Sequence, residues 1–259
     1  MQTEQISLHG YTVEIAQDEC PENPFENWDF EPPLLTYYGG RRGYAKAYND
    51  APDTWGEILQ LIPEPEDVKN CLTAILPECP SDEELEEWSG QGWRALAEDK
   101  LTEKYGSGPS GWRSACDWFE LAESLLNYAG IPCLYEQSNG YSQGDSTLCL
   151  VVLTSEWLKK TGCKAENASE ICKGTIELYS AWAWGDVYGV SKILAPGPLD
   201  EDGEETEEEE LEHGSCWGFY GSNHEKSGLM DHVRDAIECH ERHQKQEAEN
   251  FTAALCSLE

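Results

Sequence analysis

Basic side chains are scarce in this sequence. Seventeen Lys and Arg stand among 259 residues, against fifty-one Asp and Glu, and the formal charge is −34 with His neutral. A protein that grips nucleic acid neutralises phosphates with Lys and Arg. Arg41-Arg42 is the only arginine pair, too little basic charge for that task in so acidic a chain, so direct nucleic-acid binding is not expected. No stretch approaches the roughly 20 apolar residues of a membrane-spanning helix. Met1 to Gly10 shows neither the basic nor the apolar region of a secretory leader. The expected setting is the cytoplasm, away from membranes. Also missing are Cys-x-x-Cys pairs, a Gly-x-Gly-x-x-Gly turn after a strand, a Gly-x-x-x-x-Gly-Lys loop and a Gly-x-Ser-x-Gly elbow. Without them nucleotide binding and serine hydrolysis have no support, and neither enzymatic activity nor a cofactor is expected.

Aromatic residues, by contrast, are plentiful. Ten Trp, twelve Tyr and 39% hydrophobic content give the chain enough apolar surface to fold despite its charge. Eleven Cys are scattered and odd in number. In a reducing compartment they act as small apolar groups, Cys149 within Leu148 to Leu153 being the clearest case. His232, Cys239 and His243 share a side of the last expected helix, with Cys216 as a conceivable fourth zinc ligand, but the spacing is that of no known finger and no metal is expected.

The pattern of periodicity predicts an α+β fold, a mainly antiparallel sheet packed on helices. Ser7 to Ala16 alternates like one half-buried strand, and Pro33 to Tyr38 reads as a second that pairs with it, with a folded-back loop at Asp18 to Pro24 between them. Ile131 to Tyr135 and Ser146 to Thr154 read as a hairpin added to those strands. Asp186 to Leu194 and Cys216 to Tyr220 complete the strands. Helices are expected after Asp53-Thr54, over Glu64 to Leu76, from Asp82 towards Tyr105, over Trp112 to Ala129, after Ser155, over Ala168 to Trp182 and over Gly228 to Leu255. The expected organisation is an α+β core of 1–50 and 111–221, an acidic helical insertion at 51–110, an acidic loop at 199–214 and a C-terminal helix at 222–259.

The acids concentrate in two places. Asp82, Glu83, Glu84, Glu86 and Glu87 crowd the start of a helix, whose dipole accounts for some of them. Glu83 and Glu87, however, are like charges at i, i+4, a destabilising pair. Residues 51–103 hold fourteen acids and three bases. The second run is Asp200, Glu201, Asp202, Glu204, Glu205, Glu207, Glu208, Glu209, Glu210 and Glu212, with no base among them. Self-repulsion of this size costs stability and exceeds what solubility needs, so these fifteen residues are the candidate contacts with a cationic partner, the second run acting as a mobile arm.

Three strings carry a resemblance: Tyr141-Ser142-Gln143-Gly144-Asp145, Trp184-Gly185-Asp186-Val187-Tyr188-Gly189 and Ser215-Cys216-Trp217-Gly218-Phe219-Tyr220-Gly221. With the Asp18 to Pro24 loop they resemble a family of small uncharacterised proteins of bacteriophages, plasmids and integrative elements, over the first 40 residues and roughly 130 to 221. The resemblance implies a mobile-element origin and no particular reaction. Combined with the charge, it leads to an expected function: a phage-encoded inhibitor acting in the host cytoplasm. Such a protein would occupy the basic DNA- or RNA-binding surface of a host defence complex, a restriction or CRISPR system, in the manner of acidic DNA mimics. Two alternatives stay open: a metal-dependent enzyme using Asp145 and Asp186, and a regulatory protein-interaction module.

Overall fold

The computed structural model describes residues 3–26, 31–38, 46–48, 51–75, 92–109, 112–138, 147–197, 208–212 and 214–256. It is an α+β protein of antiparallel sheets and helices with a long C-terminal helix. The strands are β1 (Thr3–Leu8), β2 (Tyr11–Gln17), β3 (Leu34–Tyr38), β4 (Lys46–Tyr48), β5 (Cys133–Ser138), β6 (Thr147–Val152), β7 (Val187–Ala195), β8 (Glu209–Glu210) and β9 (Cys216–Tyr220). The described helices are α1 (Trp55–Leu61), α2 (Pro65–Ile75), α3 (Gly92–Tyr105), α4 (Trp112–Tyr128), α5 (Ser155–Thr161), α6 (Ala168–Trp184) and α7 (Leu229–Cys256). Contacts divide the chain into two units: Met1–Asn23 with Gly185–Glu259, and Pro24–Trp184. That grouping differs from the expected core of 1–50 with 111–221, because β3 and β7 enter different sheets.

In the first unit the chain reverses at His9-Gly10, whose φ values of 54° and 88° match a two-residue hairpin turn. The alternation over Ser7 to Ala16 is therefore a hairpin and not one strand: β1 pairs with β2 from Thr3↔Ala16 to Leu8↔Tyr11. The far side of β2 takes β7, so the expected pairing of the first strand with Leu34–Tyr38 does not form. Two bulges interrupt the ladders. Glu14↔Lys192 is followed by Ile15↔Val190, leaving Ser191 over, and Tyr188↔Phe219 is followed by Gly189↔Trp217, leaving Gly218 over at φ +88°. The bulge at Ser191 keeps Val190, Ile193 and Ala195 on the face that carries Tyr11, Val13 and Ile15. Helix α7 buries Leu229, Val233 and Ile237, one residue per turn, on that face. This helix is thus part of a core, and only from Glu241 to Ala253 is it exposed throughout.

The second unit holds the sheet β4-β3-β6-β5. The hairpin β5–β6 forms as the sequence suggests, but it joins β3 and not the first strands. All six residues of β6 are buried because both faces are covered, and a continuous apolar run replaces alternation. On one face Leu148, Leu150 and Val152 share a core with Trp55, Ile58, Leu72, Leu101, Trp118, Phe119 and Leu126 from α1 to α4. On the other, α6 packs on β5 and β6, and Tyr179 meets Tyr37 of β3 with ring centroids 4.7 Å apart. The helices within 51–110 are therefore built into the same core as α4 and the sheet. Helix α1 starts at a capping box: Thr54 Oγ1 accepts from the Glu57 N–H, and the Glu57 carboxylate accepts from the Thr54 N–H.

Candidate partner-binding surface

Of the fifteen acids singled out, Asp82, Glu83, Glu84, Glu86, Glu87, Asp200, Glu201, Asp202, Glu204, Glu205 and Glu207 lie outside the described residues, as do Asp145 and the capping box expected at Ser81. Glu208, Glu209, Glu210 and Glu212 are described, and all four are exposed. They are not part of a free loop. Glu209 and Glu210 form β8 against β7, in register Leu194↔Glu210 and Ala195↔Glu209. The next residue, Leu211, is 7% exposed, packs into the first unit's core and donates its N–H to the Ile193 carbonyl at 2.9 Å. Gly214 N–H then donates back to the Leu211 carbonyl at 3.1 Å. Thr12 Oγ1 donates to Glu208 Oε1 at 3.1 Å. The one apolar residue in an acidic run is the anchor, and it holds its neighbours outward as an extended strand. This corrects the expectation of a wholly mobile arm.

The sheet face opposite α7 carries the polar partners. Gln5, Glu14 and Lys192 stand in cross-strand register. Gln5 Nε2 donates to Glu14 Oε1 at 2.7 Å, and Lys192 Nζ lies 3.1 Å from the same oxygen. These two donors, that of Gln5 foremost, hold the Glu14 carboxyl below its ordinary range. Alternation puts Glu208 and Glu210 on this face as well, beside Thr12. The bulge at Gly218 adds Trp217. Two residues from Phe219, it would normally share that residue's face; the extra residue turns Phe219 towards the core and Trp217 away from it. The indole sits on Gly189, where an added Cβ would come 2.3 Å from its Cε3. Trp217 is nonetheless 43% exposed. The signal in the sequence is the pair of glycines around it, Gly218 beside it in β9 and Gly189 opposite it in β7.

Asp186, its neighbour Tyr188 and the histidines considered as zinc ligands are arranged differently. The Asp186 carbonyl accepts from the Gly221 N–H at 2.7 Å, which fixes the turn after β9. Tyr188 packs edge-on against His224 at 5.0 Å between ring centroids, and His224 Nε2 lies 3.8 Å from Glu4 Oε2. Burial first, then the charges of Asp186 and Glu4, push the Tyr188 phenol up. That shift takes it further from neutral pH, the wrong direction for acid–base work. His232 sits against Phe219 with its Nε2 3.3 Å from the Gly214 carbonyl, and His243 is 3.8 Å from Glu247. Among the described residues no three His, Cys, Asp or Glu side chains group as metal ligands.

The opening loop is folded back as expected. Asp18 N–H donates to the Val187 carbonyl at 2.8 Å, and Tyr220 Oη donates to the Glu22 carbonyl at 2.7 Å. Burial, with Glu22 and Asp18 nearby, pushes that phenol up to about 12. Charge is shared by both units: Met1–Asn23 with Gly185–Glu259 holds twenty-four acids and five bases, Pro24–Trp184 twenty-seven and twelve, so the balances are −19 and −15. Several cations are already engaged: Lys192 with Glu14, Arg234 with Glu225 and Asp231, Lys160 with Glu31, and Lys164 with Glu166.

No protein-family model, no curated protein and no solved structure matches this chain. Among the described residues no helix is long and apolar enough to cross a membrane.

Proposed function

We propose that this protein is an inhibitor that occupies the basic DNA- or RNA-binding surface of a host protein or complex, presenting carboxylates where that surface would receive phosphates. A phage- or plasmid-encoded antagonist of a restriction or CRISPR complex, working in the host cytoplasm, fits both the charge and the resemblance to mobile-element proteins. The observation that carries the reading is the anchoring of Glu208 to Glu212: a buried Leu211 and a two-residue strand hold exposed carboxylates extended along a sheet edge. An extended strand advances about 3.4 Å per residue. One strand of B-DNA advances about 3.4 Å of axis per charge; because side chains alternate, Glu208 and Glu210 stand about 6.8 Å apart on one face, one carboxylate for every second phosphate of such a strand. Ordering those carboxylates beforehand lowers the entropy lost on binding, and the −19 balance of the first unit attracts a cationic partner.

The test is capture from a host lysate on the immobilised protein at low salt, followed by challenge with duplex DNA. The expected retained protein is a nucleic-acid-binding one that DNA displaces. With that partner purified, Glu208→Lys, Glu209→Lys, Glu210→Lys and Glu212→Lys combined raise the dissociation constant by a factor of about 100 or more at low salt, and the difference shrinks as salt rises. Failure of DNA to compete, or an unchanged constant in the charge-reversed protein, rejects the reading.

A further inference from the structure

We propose that Trp217 is a stacking platform for an arginine of the cationic partner, which makes the sheet face of the first unit a guanidinium-selective surface and not merely a negatively charged one. The inference rests on the reading of the protein as an acidic inhibitor and specifies how that surface chooses among cations.

Three observations converge. The indole is placed by construction: the Gly218 bulge turns it to the face opposite Phe219, and Gly189 leaves the room it occupies, since a Cβ there would meet its Cε3 at 2.3 Å and its Cδ2 at 2.4 Å. One side of the ring lies on Gly189, and the residue keeps 43% of its surface exposed. Among the described residues, cations stand over Trp93 and Tyr105, supplied by Lys69 and Lys104, and none stands over Trp217.

The same face carries Glu208 and Glu210. Trp217 pairs with Gly189 and Glu210 with Leu194 on one strand, β7. Five residues of bulged strand separate them, roughly 15 Å. That spacing suits two neighbouring basic side chains of one partner surface, one stacked on the indole and the other paired with carboxylate. A guanidinium is planar, weakly hydrated and binds both groups well, by stacking on the ring and by forked hydrogen bonds to an acid. An ammonium is a compact, strongly hydrated charge and gains less from either. Charge complementarity therefore names a cationic partner, and the exposed ring narrows it to one rich in arginine.

Fluorescein-labelled nona-arginine and nona-lysine, titrated into the full chain at about 50 mM salt, separate the two contributions. The wild-type protein is expected to prefer nona-arginine. Trp217→Ala and Trp217→Leu weaken its binding about three- to thirtyfold, weaken nona-lysine less, and leave the slope of log K against log salt unchanged. Because the readout is a ratio of two peptides on one sample, a general loss of folded protein does not mimic it. Equal arginine preference in wild type and both tryptophan variants overturns the proposal. Glu208→Gln with Glu210→Gln reports on the underlying reading instead: unchanged affinity for both peptides there, with the arginine preference still dependent on Trp217, rejects the acidic-inhibitor reading and leaves the stacking site standing.

Discussion

Arg94 of α3 closes the C-terminal end of α1 by donating from Nη2 to the Ile62 carbonyl at 2.5 Å. The same guanidinium reaches the Pro63 carbonyl at 2.8 Å and, through Nε, the Leu59 carbonyl at 3.2 Å. The last carbonyls of a helix lack partners within it, and α1 has no basic residue in its own last turn. One of the three bases between 51 and 103 is thus spent on a helix end. Arg94→Ala leaves those acceptors without their charged donor and costs about 2–3 kcal/mol of unfolding free energy. Arg94→Lys keeps a charge but not the fork and recovers part of it. Urea denaturation of the three proteins checks the order.

Gly189 and Trp217 are coupled by space. Gly189→Ala sets a methyl carbon into the indole and against the Cys216 carbonyl oxygen, 2.9 Å away, and is expected to destabilise the protein by about 1–3 kcal/mol. Trp217→Ala removes the first obstruction, so the double variant loses less than the sum of the single ones. A double-mutant cycle by thermal melting measures that difference, and additivity refutes the contact.

The Glu57 carboxyl is held below its ordinary range by the Asp53 N–H first and the Thr54 groups after it, with burial opposing. A group whose pKa falls on folding contributes stability above its unfolded value and loses it as pH drops through the folded one. Asp53 shifts up, through burial and the neighbouring Glu57 charge, and works in the opposite sense. Comparison with Glu57→Gln isolates the glutamate. The wild-type advantage, about 0.5–1 kcal/mol at neutral pH, is expected to vanish between about pH 5 and pH 3. An advantage that persists at the acid end contradicts the capping assignment.

Burial pushes the thiols of Cys133 and Cys172 up to about 12, with Glu123 adding to both, and Cys149, fully enclosed, is raised as well. Thiolate is the reactive form. Iodoacetamide at pH 8 is therefore expected to label Cys20 and Cys239, which are exposed, while these three stay unmodified until denaturant is added. Peptide mass spectrometry reads the pattern; early labelling of Cys172 breaks it.

The sequence revealed most where one face or one stripe is buried. Trp118, Phe119, Ala122, Leu125 and Leu126 are all fully buried on α4, as helical periodicity requires, and Cys216–Tyr220 is a strand at the expected bounds. It revealed less where geometry broke the period. Ser191 and Gly218 each add one residue to a ladder, so no strict alternation marks which side chains of β7 and β9 face the core. Pairing partners were also hidden: nothing local to Ser7 to Ala16 says that β2 takes β7, some 170 residues on, and not β3. Within the acidic run, Leu211 was the legible exception, since an isolated leucine among ten acids has little reason to exist unless it is buried. Trp217 was visible as a residue, but its exposure depends on a bulge that no single sequence window displays.

The split of the chain sets an order for its maturation. Pro24–Trp184 is continuous and has every partner of its sheet in hand once its own residues have left the ribosome, whereas the other unit joins Met1–Asn23 to Gly185–Glu259. The β1–β2 hairpin must wait for β7, and during that wait Val13 and Ile15 lack the cover that α7 later gives them. An isolated hairpin is marginal in water, so β1 and β2 are fixed only after the whole of Pro24–Trp184 has been made. Synthesis of β7 and α7, and not the emergence of β1 and β2, completes the unit carrying the acidic strand.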